Sequence, residues 1–237
     1  MGVARPDYRK LSVIIPVYNE RNTVVEVLRR IRALQLPLEL EILVVDDGST
    51  DGTDKVLGAV EDSTVRVLTH PTNQGKGAAV RTGLGKATGD LIVIQDADLE
   101  YDPDDWPRLL DPVMKGKAQV AYGSRFTGER KNMALSDWIA NRFLVFTTNV
   151  LFRTTLSDVE TCLKLFDREV LDGLSLEADR FEFEPEVTVK LLSKGIRIYE
   201  VPISWAGREM SEGRKYRWRD NLRALGTVIR YRAGRAG

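Results

Sequence analysis

Three carboxylates, Asp96, Asp98 and Glu100, follow a short apolar run in the stretch LIVIQDADLEYDP, and their spacing indicates a metal site. Carboxylates this close together repel one another and destabilise a fold unless something compensates their charge. A divalent cation such as Mg2+ or Mn2+ provides that compensation, because hard cations prefer oxygen ligands. If the chain stays extended, strand alternation places all three side chains on the same side. The alternative is a solvated acidic turn that caps a helix beginning near Pro103.

Strands and helices alternate along the first half of the chain and must position these carboxylates. Apolar runs predict strands at residues 11–16, 41–45, 65–68, 91–94 and 119–123. Helical spacing and turn residues predict helices at residues 19–35, 53–61, 75–87 and 103–115. This alternation predicts an α/β fold with a mostly parallel central sheet flanked by helices.

Polar residues follow three of these predicted strands at the point where each strand ends. They are Tyr18-Asn19-Glu20 after the first strand, Asp46-Asp47 after the second, and the carboxylates from Asp96 to Glu100 after the fourth. In a parallel sheet, ligands bind outside the carboxyl ends of the strands. One acidic strand end is usually a helix cap, but three at one edge predict a binding site.

Composition limits the classes of protein that fit the sequence. The 237 residues are 43% hydrophobic and 30% charged, as in an ordinary folded domain, and the net charge is zero. From Arg208 onward there are nine basic and three acidic residues, so a basic tail follows an acidic body and suggests an anionic ligand or surface. With one cysteine, Cys162, an internal disulfide is excluded, and with one histidine, His70, a histidine-rich zinc site is excluded.

Targeting signals and membrane spans are not predicted. The N-terminus MGVARPDYRK lacks an apolar core, and the uncharged run at residues 143–152 is too short to cross a bilayer. We therefore expect a cytoplasmic protein. Two segments, residues 136–153 and about 217–232, combine aromatic and aliphatic residues with arginines. Each is either a core helix or an amphipathic helix lying on the cytoplasmic face of a membrane.

Several motifs together resemble family-2 glycosyltransferases with a GT-A (Rossmann-like) fold. The resemblance rests on PVYNE at residues 16–20, VVDDGSTDGT at 44–53, NQGKG at 73–77, the Asp96-Ala97-Asp98 triplet and GSRF at 123–126. In the second half, SDVETCLKLF at 157–166 and residues 183–195 and 201–202 are similar to dolichyl- and polyprenyl-phosphate sugar synthases. The resemblance implies one GT-A domain over residues 1–237, with a nucleotide-sugar-binding half to about residue 130, an acceptor-binding half after it, and amphipathic C-terminal helices.

The resemblance also implies roles for individual residues. The donor nucleotide is expected to lie among Pro16, Tyr18, Glu20, Val45 and Asp47. Asp96 and Asp98 are expected to act in catalysis by holding the metal and the diphosphate, and Glu100 to be a further metal ligand. Archaeal mannosyl synthases resemble this stretch but carry Gln at the Glu100 position. Arg125 is expected to act at the diphosphate, and Arg208 and Lys215 to reach the phosphates of the donor or of a lipid acceptor.

These implications favour an inverting, metal-dependent transferase that moves a hexose from GDP-mannose or a UDP-sugar to a polyprenyl or dolichyl phosphate. A phosphate acceptor is already ionised at neutral pH and needs no general base. A soluble enzyme acting on a saccharide or small-molecule hydroxyl would need one, and Asp158 and Glu160 are the candidates. A catalytically silent nucleotide-sugar-binding module remains a third interpretation. Nucleic acid is not expected as a partner, because aromatic residues do not interleave with the basic ones as in such interfaces.

Overall fold

The structure is a computed structural model that describes residues 7–208 and 218–234. Lys215 and most of the loop at residues 205–216, which we expect to order when ligands bind, lie outside these ranges.

Within residues 7–208 and 218–234, nine strands form one large and one small sheet. Their bounds are β1 Lys10–Val17, β2 Glu39–Asp46, β3 Val65–Thr69, β4 Leu91–Ile94, β5 Val120–Ser124, β6 Arg130–Lys131, β7 Lys164–Asp167, β8 Tyr199–Pro202 and β9 Trp205–Ala206. The large sheet has seven strands in the order β3-β2-β1-β4-β7-β5-β8, and β6 pairs with β9. Every neighbouring pair in the large sheet is parallel except those of β7, which is antiparallel to β4 and β5. The predicted mostly parallel sheet is therefore confirmed.

Eight α-helices accompany these strands in the described ranges. They are α1 Val24–Ala33, α2 Thr53–Gly58, α3 Lys76–Leu84, α4 Trp106–Met114, α5 Leu135–Phe152, α6 Arg168–Asp172, α7 Phe183–Ser193 and α8 Trp218–Arg232. A short 3-10 helix, Pro103–Asp105, precedes α4, and the Asp102 side chain caps it by accepting from the Asp104 amide. The expected helix at residues 19–35 was too long at its start. Asn19 has a positive φ of 53°, and its side chain accepts a hydrogen bond from the Thr50 amide, so residues before Val24 form a loop instead.

Both faces of the large sheet are buried at its central strands β1, β4, β7 and β5, which explains why β1 and β4 read as continuous apolar runs. Within β1, Val13 and Ile15 pack into a core with α1 and α4, while Ile14 packs into a second core that includes Phe183 and Val187 of α7. The sheet is thus covered by helices on both sides, and its strand ends provide the rigid edge on which the site is built.

Helices α5, α7 and α8 enclose a third apolar cluster, which includes Leu144 and Val145 of α5 and Val228 of α8. The opposite side of α5 is apolar but exposed. We call it the α5 apolar face, and its residues are Leu135, Trp138, Ile139, Phe143, Phe146 and Val150. Phe143 is 58% exposed and Phe146 is 65% exposed. One side of α5 therefore packs in the core, and the other side is an exposed apolar surface. None of the helices in the described ranges has the length and apolar character that crossing a membrane requires.

Candidate active site

A cavity of about 780 Å³ opens at the carboxyl ends of β1, β2, β4 and β5. It brings together most of the residues expected from the sequence. Those that line it are Pro16, Tyr18, Glu20, Asp47, Asp96, Asp98, Glu100, Arg125 and Arg208. Val45 is fully buried within β2, where it pairs with Pro16 and Leu68, and it does not line this cavity. Its expected contact with the donor nucleotide therefore has no support in this structure.

The chain turns sharply through the three carboxylates and does not remain extended. Strand β4 ends at Ile94, Leu99 has a positive φ of 64°, and the Asp98 carboxylate accepts a hydrogen bond from the Glu100 amide at 3.1 Å. The assumption of a straight strand was therefore wrong. The described residues contain no group of three acidic, histidine or cysteine side chains arranged to hold a metal.

A cationic side chain from the far end of the chain lies among these carboxylates. Arg208 Nη2 donates to Asp98 Oδ2 at 3.0 Å, and Nη1 donates to both Glu20 oxygens at 3.1 and 3.2 Å. The Glu100 carboxylate accepts from the Arg208 amide at 3.1 Å and from Trp205 Nε1 at 3.2 Å. Burial, together with the charges of Asp96 and Glu100, raises the pKa of Asp98 to about 8, although Arg208 opposes that shift. If all of these carboxylates were ionised together, they would therefore carry more negative charge than one arginine compensates.

Asp96 has a different basic partner, Lys76, at the start of α3. Lys76 Nζ lies 2.8 Å from Asp96 Oδ1 and 3.1 Å from Glu184 Oε1. Burial opposes the charge of this lysine, but Asp96, followed by Cys162 and Glu184, outweighs burial and raises the pKa of Lys76 well above its usual value. Glu184 lies on α7 and also pairs with Lys164 of β7 at 2.5 Å. The four side chains form a buried row of alternating charge that ends at Asp96.

Arg125 follows β5 and is held by a buried carboxylate. Its Nε and Nη2 donate to the two oxygens of Asp158 at 2.7 and 2.8 Å, and Asn141 donates to the same carboxylate at 2.8 Å. Burial alone would raise the pKa of Asp158, but the charge of Arg125 and these hydrogen bonds lower it overall. The guanidinium also lies 5.7 Å from the ring of Trp205. With its oxygens engaged, Asp158 is poorly suited to act as a general base, whereas Glu160 lines the cavity.

Asp47 lines the cavity but directs its oxygens to the loop before α3. It accepts hydrogen bonds from the Gln74 and Gly75 amides at 2.9 and 2.7 Å, and it lies 2.7 Å from His70 Nδ1. Gly75 has a φ of 106°, and an added Cβ would lie 2.4 Å from the Asp179 carbonyl, so glycine is required there. Asp47 therefore fixes the loop that leads into Lys76.

Sequence reasoning missed Lys76, Lys164 and Glu184 as residues of this site. Lys76 belongs to the NQGKG stretch, so its position after a glycine turn was an available signal. Lys164 is the first residue of β7, and Glu184 lies on a helix more than 80 residues beyond Asp96. Nothing in the spacing of these residues indicates a shared contact.

Comparison with known proteins decides the family of this site. The model of the family described as "Glycosyl transferase family 2" matches residues 12–174, which is more than half of the chain. The chain belongs to glycosyltransferase family 2. The matched range of this glycosyltransferase contains most of β1, all of β2 to β7 and most of the cavity residues, while Arg208 lies beyond it.

Solved structures share the fold of this glycosyltransferase over nearly its whole length. Glucosyl-3-phosphoglycerate synthase from Mycobacterium tuberculosis in complex with phosphoglyceric acid is 23% identical, with a TM-score of 0.75, and the match covers 95% of this chain and 80% of that one. The same enzyme with Mn2+, uridine diphosphate and glucosyl-3-phosphoglycerate is 24% identical, with a TM-score of 0.71 and the same coverage. Its complex with Mn2+ and UDP-glucose gives 24% identity and a TM-score of 0.72 over 95% and 79% of the two chains. The expected GT-A fold is confirmed.

Proposed function

We propose that this chain transfers a hexose from a nucleoside diphosphate sugar to an anionic acceptor in a reaction that requires Mg2+ or Mn2+. The proposal rests on one observation. In this family-2 glycosyltransferase, a single cavity at the strand ends is lined by both acidic and basic side chains. Asp96 and Asp98 are the acidic groups, and Lys76, Arg125 and Arg208 are the basic ones. A transferase needs both kinds, because the leaving diphosphate gains negative charge as the glycosidic bond breaks.

The chemistry of the carboxylates suits a divalent cation. Asp98 is buried close to the carboxylates of Asp96 and Glu100, and it accepts a hydrogen bond from Arg208. The position next to Asp98 therefore favours a positively charged group. Mg2+ and similar ions commonly use one or two protein carboxylates and complete their coordination with substrate phosphates and water. Asp96 and Asp98 would hold the ion in this way, with Glu100 as a further candidate. When bound, the ion supplies Lewis-acid stabilisation of the leaving diphosphate.

The remaining cavity residues bind and orient the substrates. Pro16, Tyr18 and Glu20 lie at the end of β1, where the donor nucleotide is proposed to bind. Arg125 is fixed by two hydrogen bonds to Asp158, so its guanidinium can complement an anion without losing further side-chain freedom. Arg208 is proposed to contact phosphate together with Lys215.

A small soluble acceptor is the version of this proposal that the comparisons favour. The three solved structures described above are of an enzyme named for phosphoglycerate, an acceptor with a phosphate and a carboxylate. If a hydroxyl of such an acceptor attacks the anomeric carbon with inversion, a base must take its proton. Glu160 is the candidate for that role, because Asp158 is committed to Arg125.

A polyprenyl phosphate is the second candidate acceptor, and the α5 apolar face favours it. Asp137 and Asn141 on α5 line the cavity, so the exposed Phe143 and Phe146 belong to a helix that borders the site. A lipid phosphate could then reach the cavity while this helix lies peripherally on the cytoplasmic face of a membrane. The phosphate would attack as a dianion and would need no base.

One assay separates these alternatives. The protein is incubated with Mn2+ and labelled UDP-glucose, GDP-mannose or UDP-N-acetylglucosamine, with either 3-phosphoglycerate or a polyprenyl phosphate. Label in a new water-soluble product supports the small acceptor, and label in the organic phase supports the lipid. The anomeric coupling constant of the product tests inversion. Donors that remain intact with every acceptor, and release no hexose, would contradict the proposed transfer.

A further inference from the structure

Lys76, Lys164 and Glu184 form a buried ionic row behind Asp96. The Lys164 side chain is fully buried, and those of Glu184 and Lys76 are 4% and 10% exposed. The row joins β7, α7 and the start of α3. Buried charges are stabilising only when they are paired, so each member depends on its neighbours.

Lys76 divides its single positive charge between two carboxylates. Its Nζ lies 2.8 Å from Asp96 and 3.1 Å from Glu184. Glu184 Oε1 forms no aligned hydrogen bond in the described structure, so it can accept Lys76 more fully than it does here. Lys164 holds the other oxygen of Glu184 at 2.5 Å. Lys76 Nζ also donates to Cys162 Sγ at 2.6 Å, but burial raises the pKa of this thiol and keeps it neutral. Glu184 is therefore the charged group that competes with Asp96 for the Lys76 ammonium.

We propose that Glu184 and Lys164 are positioning residues that act through Lys76 and set the affinity of Asp96 for a divalent cation. This inference rests on the proposed function, because it assumes that Asp96 and Asp98 hold the metal. Neither Glu184 nor Lys164 touches the ion in this account. A cation that approaches Asp96 competes with Lys76, and Glu184 receives the ammonium that Asp96 releases.

We call this indirect effect of Lys164 and Glu184 on Asp96, through Lys76, the relay. Replacing Glu184 and Lys164 together tests the relay with little direct change in the electrostatic field at Asp96, because the pair is neutral as a whole. In the double variant Lys164→Met/Glu184→Gln, Lys76 keeps only Asp96 as its carboxylate partner, and a cation must compete with an undivided lysine. We expect Mn2+ to bind about tenfold more weakly, a typical coupling for residues in one ionic network. Replacing both members of a buried pair by neutral side chains is often tolerated. Lys164 Nζ also donates to the Val159 and Thr161 carbonyls, so the folding of the double variant is checked by circular dichroism before Mn2+ is titrated.

The chain offers a matched control on the same helix. Lys190 and Glu186 of α7 form an ion pair at 2.8 Å, Glu186 is 1% exposed, and neither residue lines the cavity. The double variant Lys190→Met/Glu186→Gln should leave Mn2+ affinity unchanged. Loss of affinity in both double variants would mean that Mn2+ binding responds to any damage to α7, and this result would overturn the proposal.

The decisive experiment is a double-mutant cycle in which Lys164 and Glu184 are replaced together, in protein with Lys76 and in the Lys76→Met variant. The measured quantity is the dissociation constant of Mn2+, obtained from the EPR signal of the free ion. Lys76→Met should by itself tighten Mn2+ binding, because Asp96 loses its competing cation. In that background, replacing Lys164 and Glu184 should change affinity by less than about twofold, since the relay has no member left to act through. An equal loss with and without Lys76 would overturn the inference.

The same titration separates this inference from the proposed function. Wild-type protein should bind Mn2+, and Asp98→Asn should not. If wild-type protein binds no Mn2+ or Asp98→Asn binds it equally, the metal site of the proposed function fails and the relay fails with it. If Asp98→Asn abolishes binding but the Lys164/Glu184 replacement has no effect, the metal site stands and only the relay is wrong.

Discussion

Arg208 Nη2 lies 3.0 Å from Asp98 Oδ2, although the two residues are 110 positions apart in the sequence. In this structure the guanidinium of Arg208 therefore supplies positive charge to the carboxylate cluster. The same guanidinium contacts Glu20, while the Arg208 amide donates to Glu100. Arg208 is the last described residue before the gap at residues 209–217. Binding of a metal at Asp98 must therefore compete with this arginine.

The first prediction concerns that competition. Arg208→Gln should bind Mn2+ more tightly than the wild type in the absence of donor, by about tenfold or more, because a positive charge close to Asp98 is removed. Isothermal titration with Mn2+ measures the change. Arg223→Gln is the control, since Arg223 also lines the cavity but lies 3.8 Å from Asp220 rather than near Asp98. Unchanged or weaker Mn2+ binding by Arg208→Gln would contradict competition.

The second prediction concerns the anchor of the loop before α3. Asp47→Ala removes the acceptor of the Gln74 and Gly75 amides, so it should lower the free energy of unfolding by about 1–3 kcal/mol. It should also raise the KM for the donor more than it lowers kcat, because the loop shapes the cavity wall. Asp51→Ala is the control. Asp51 accepts the amide of Thr53 but does not line this cavity, so its loss should affect stability and spare the donor KM. A collapse of kcat at constant donor affinity in Asp47→Ala would show that Asp47 acts in the chemical step.

The third prediction concerns the buried pair of Arg125 and Asp158. Asp158→Asn leaves Arg125 buried without a charged partner and should lower the free energy of unfolding by about 3–5 kcal/mol at pH 7. Urea unfolding followed by circular dichroism measures this loss.

The pH dependence of the same pair has a defined sign. The pKa of Asp158 is lowered in the folded protein, so its contribution is complete above the unfolded pKa of about 3.9 and is lost as pH falls through the folded value. The difference in stability between the wild type and Asp158→Asn should therefore shrink below pH 4. A difference that grows on acidification would contradict the pairing.

The fourth prediction concerns the α5 apolar face. If the acceptor is a lipid phosphate, the protein should float with phosphatidylglycerol vesicles at low salt and less so at high salt, because salt screens the basic residues. Phe143→Ser/Phe146→Ser should reduce flotation without destabilising the fold, since both rings are exposed. Val25→Ser, at an exposed site on α1, is the control. Protein that stays out of the vesicle fraction at every salt concentration would remove the support that this face gives to a lipid acceptor.

The sequence was a good guide to the parts of the fold that depend on local patterns. The apolar run at Leu91 predicts β4 because that strand is buried on both faces, and Asp96 and Asp98 follow it at the edge where parallel strands end. Tyr18, Glu20 and Asp47 reach the same cavity for the same reason.

Contacts between distant segments could not be predicted in this way. Arg208 contacts Asp98 because of β9 and the path of the chain after β8. The spacing of apolar residues in the sequence does not predict this contact. Strand β7 is antiparallel between β4 and β5 because the chain returns after α5, and the sequence shows only an apolar run that contains a lysine. The exposed side of α5 was ambiguous, because apolar residues surround the helix and periodicity cannot say which of them the fold leaves uncovered.

The central claim is that Asp96 and Asp98 make hexose transfer depend on a divalent cation. The most direct measurement is the rate of transfer from the donor and acceptor that the product assay selects, with Mn2+, with EDTA, and with Mn2+ in Asp98→Asn. We predict transfer with Mn2+, loss of transfer in EDTA that added Mn2+ restores, and a rate lowered by several orders of magnitude in a folded Asp98→Asn protein. Full activity in EDTA, or in Asp98→Asn, would contradict the claim.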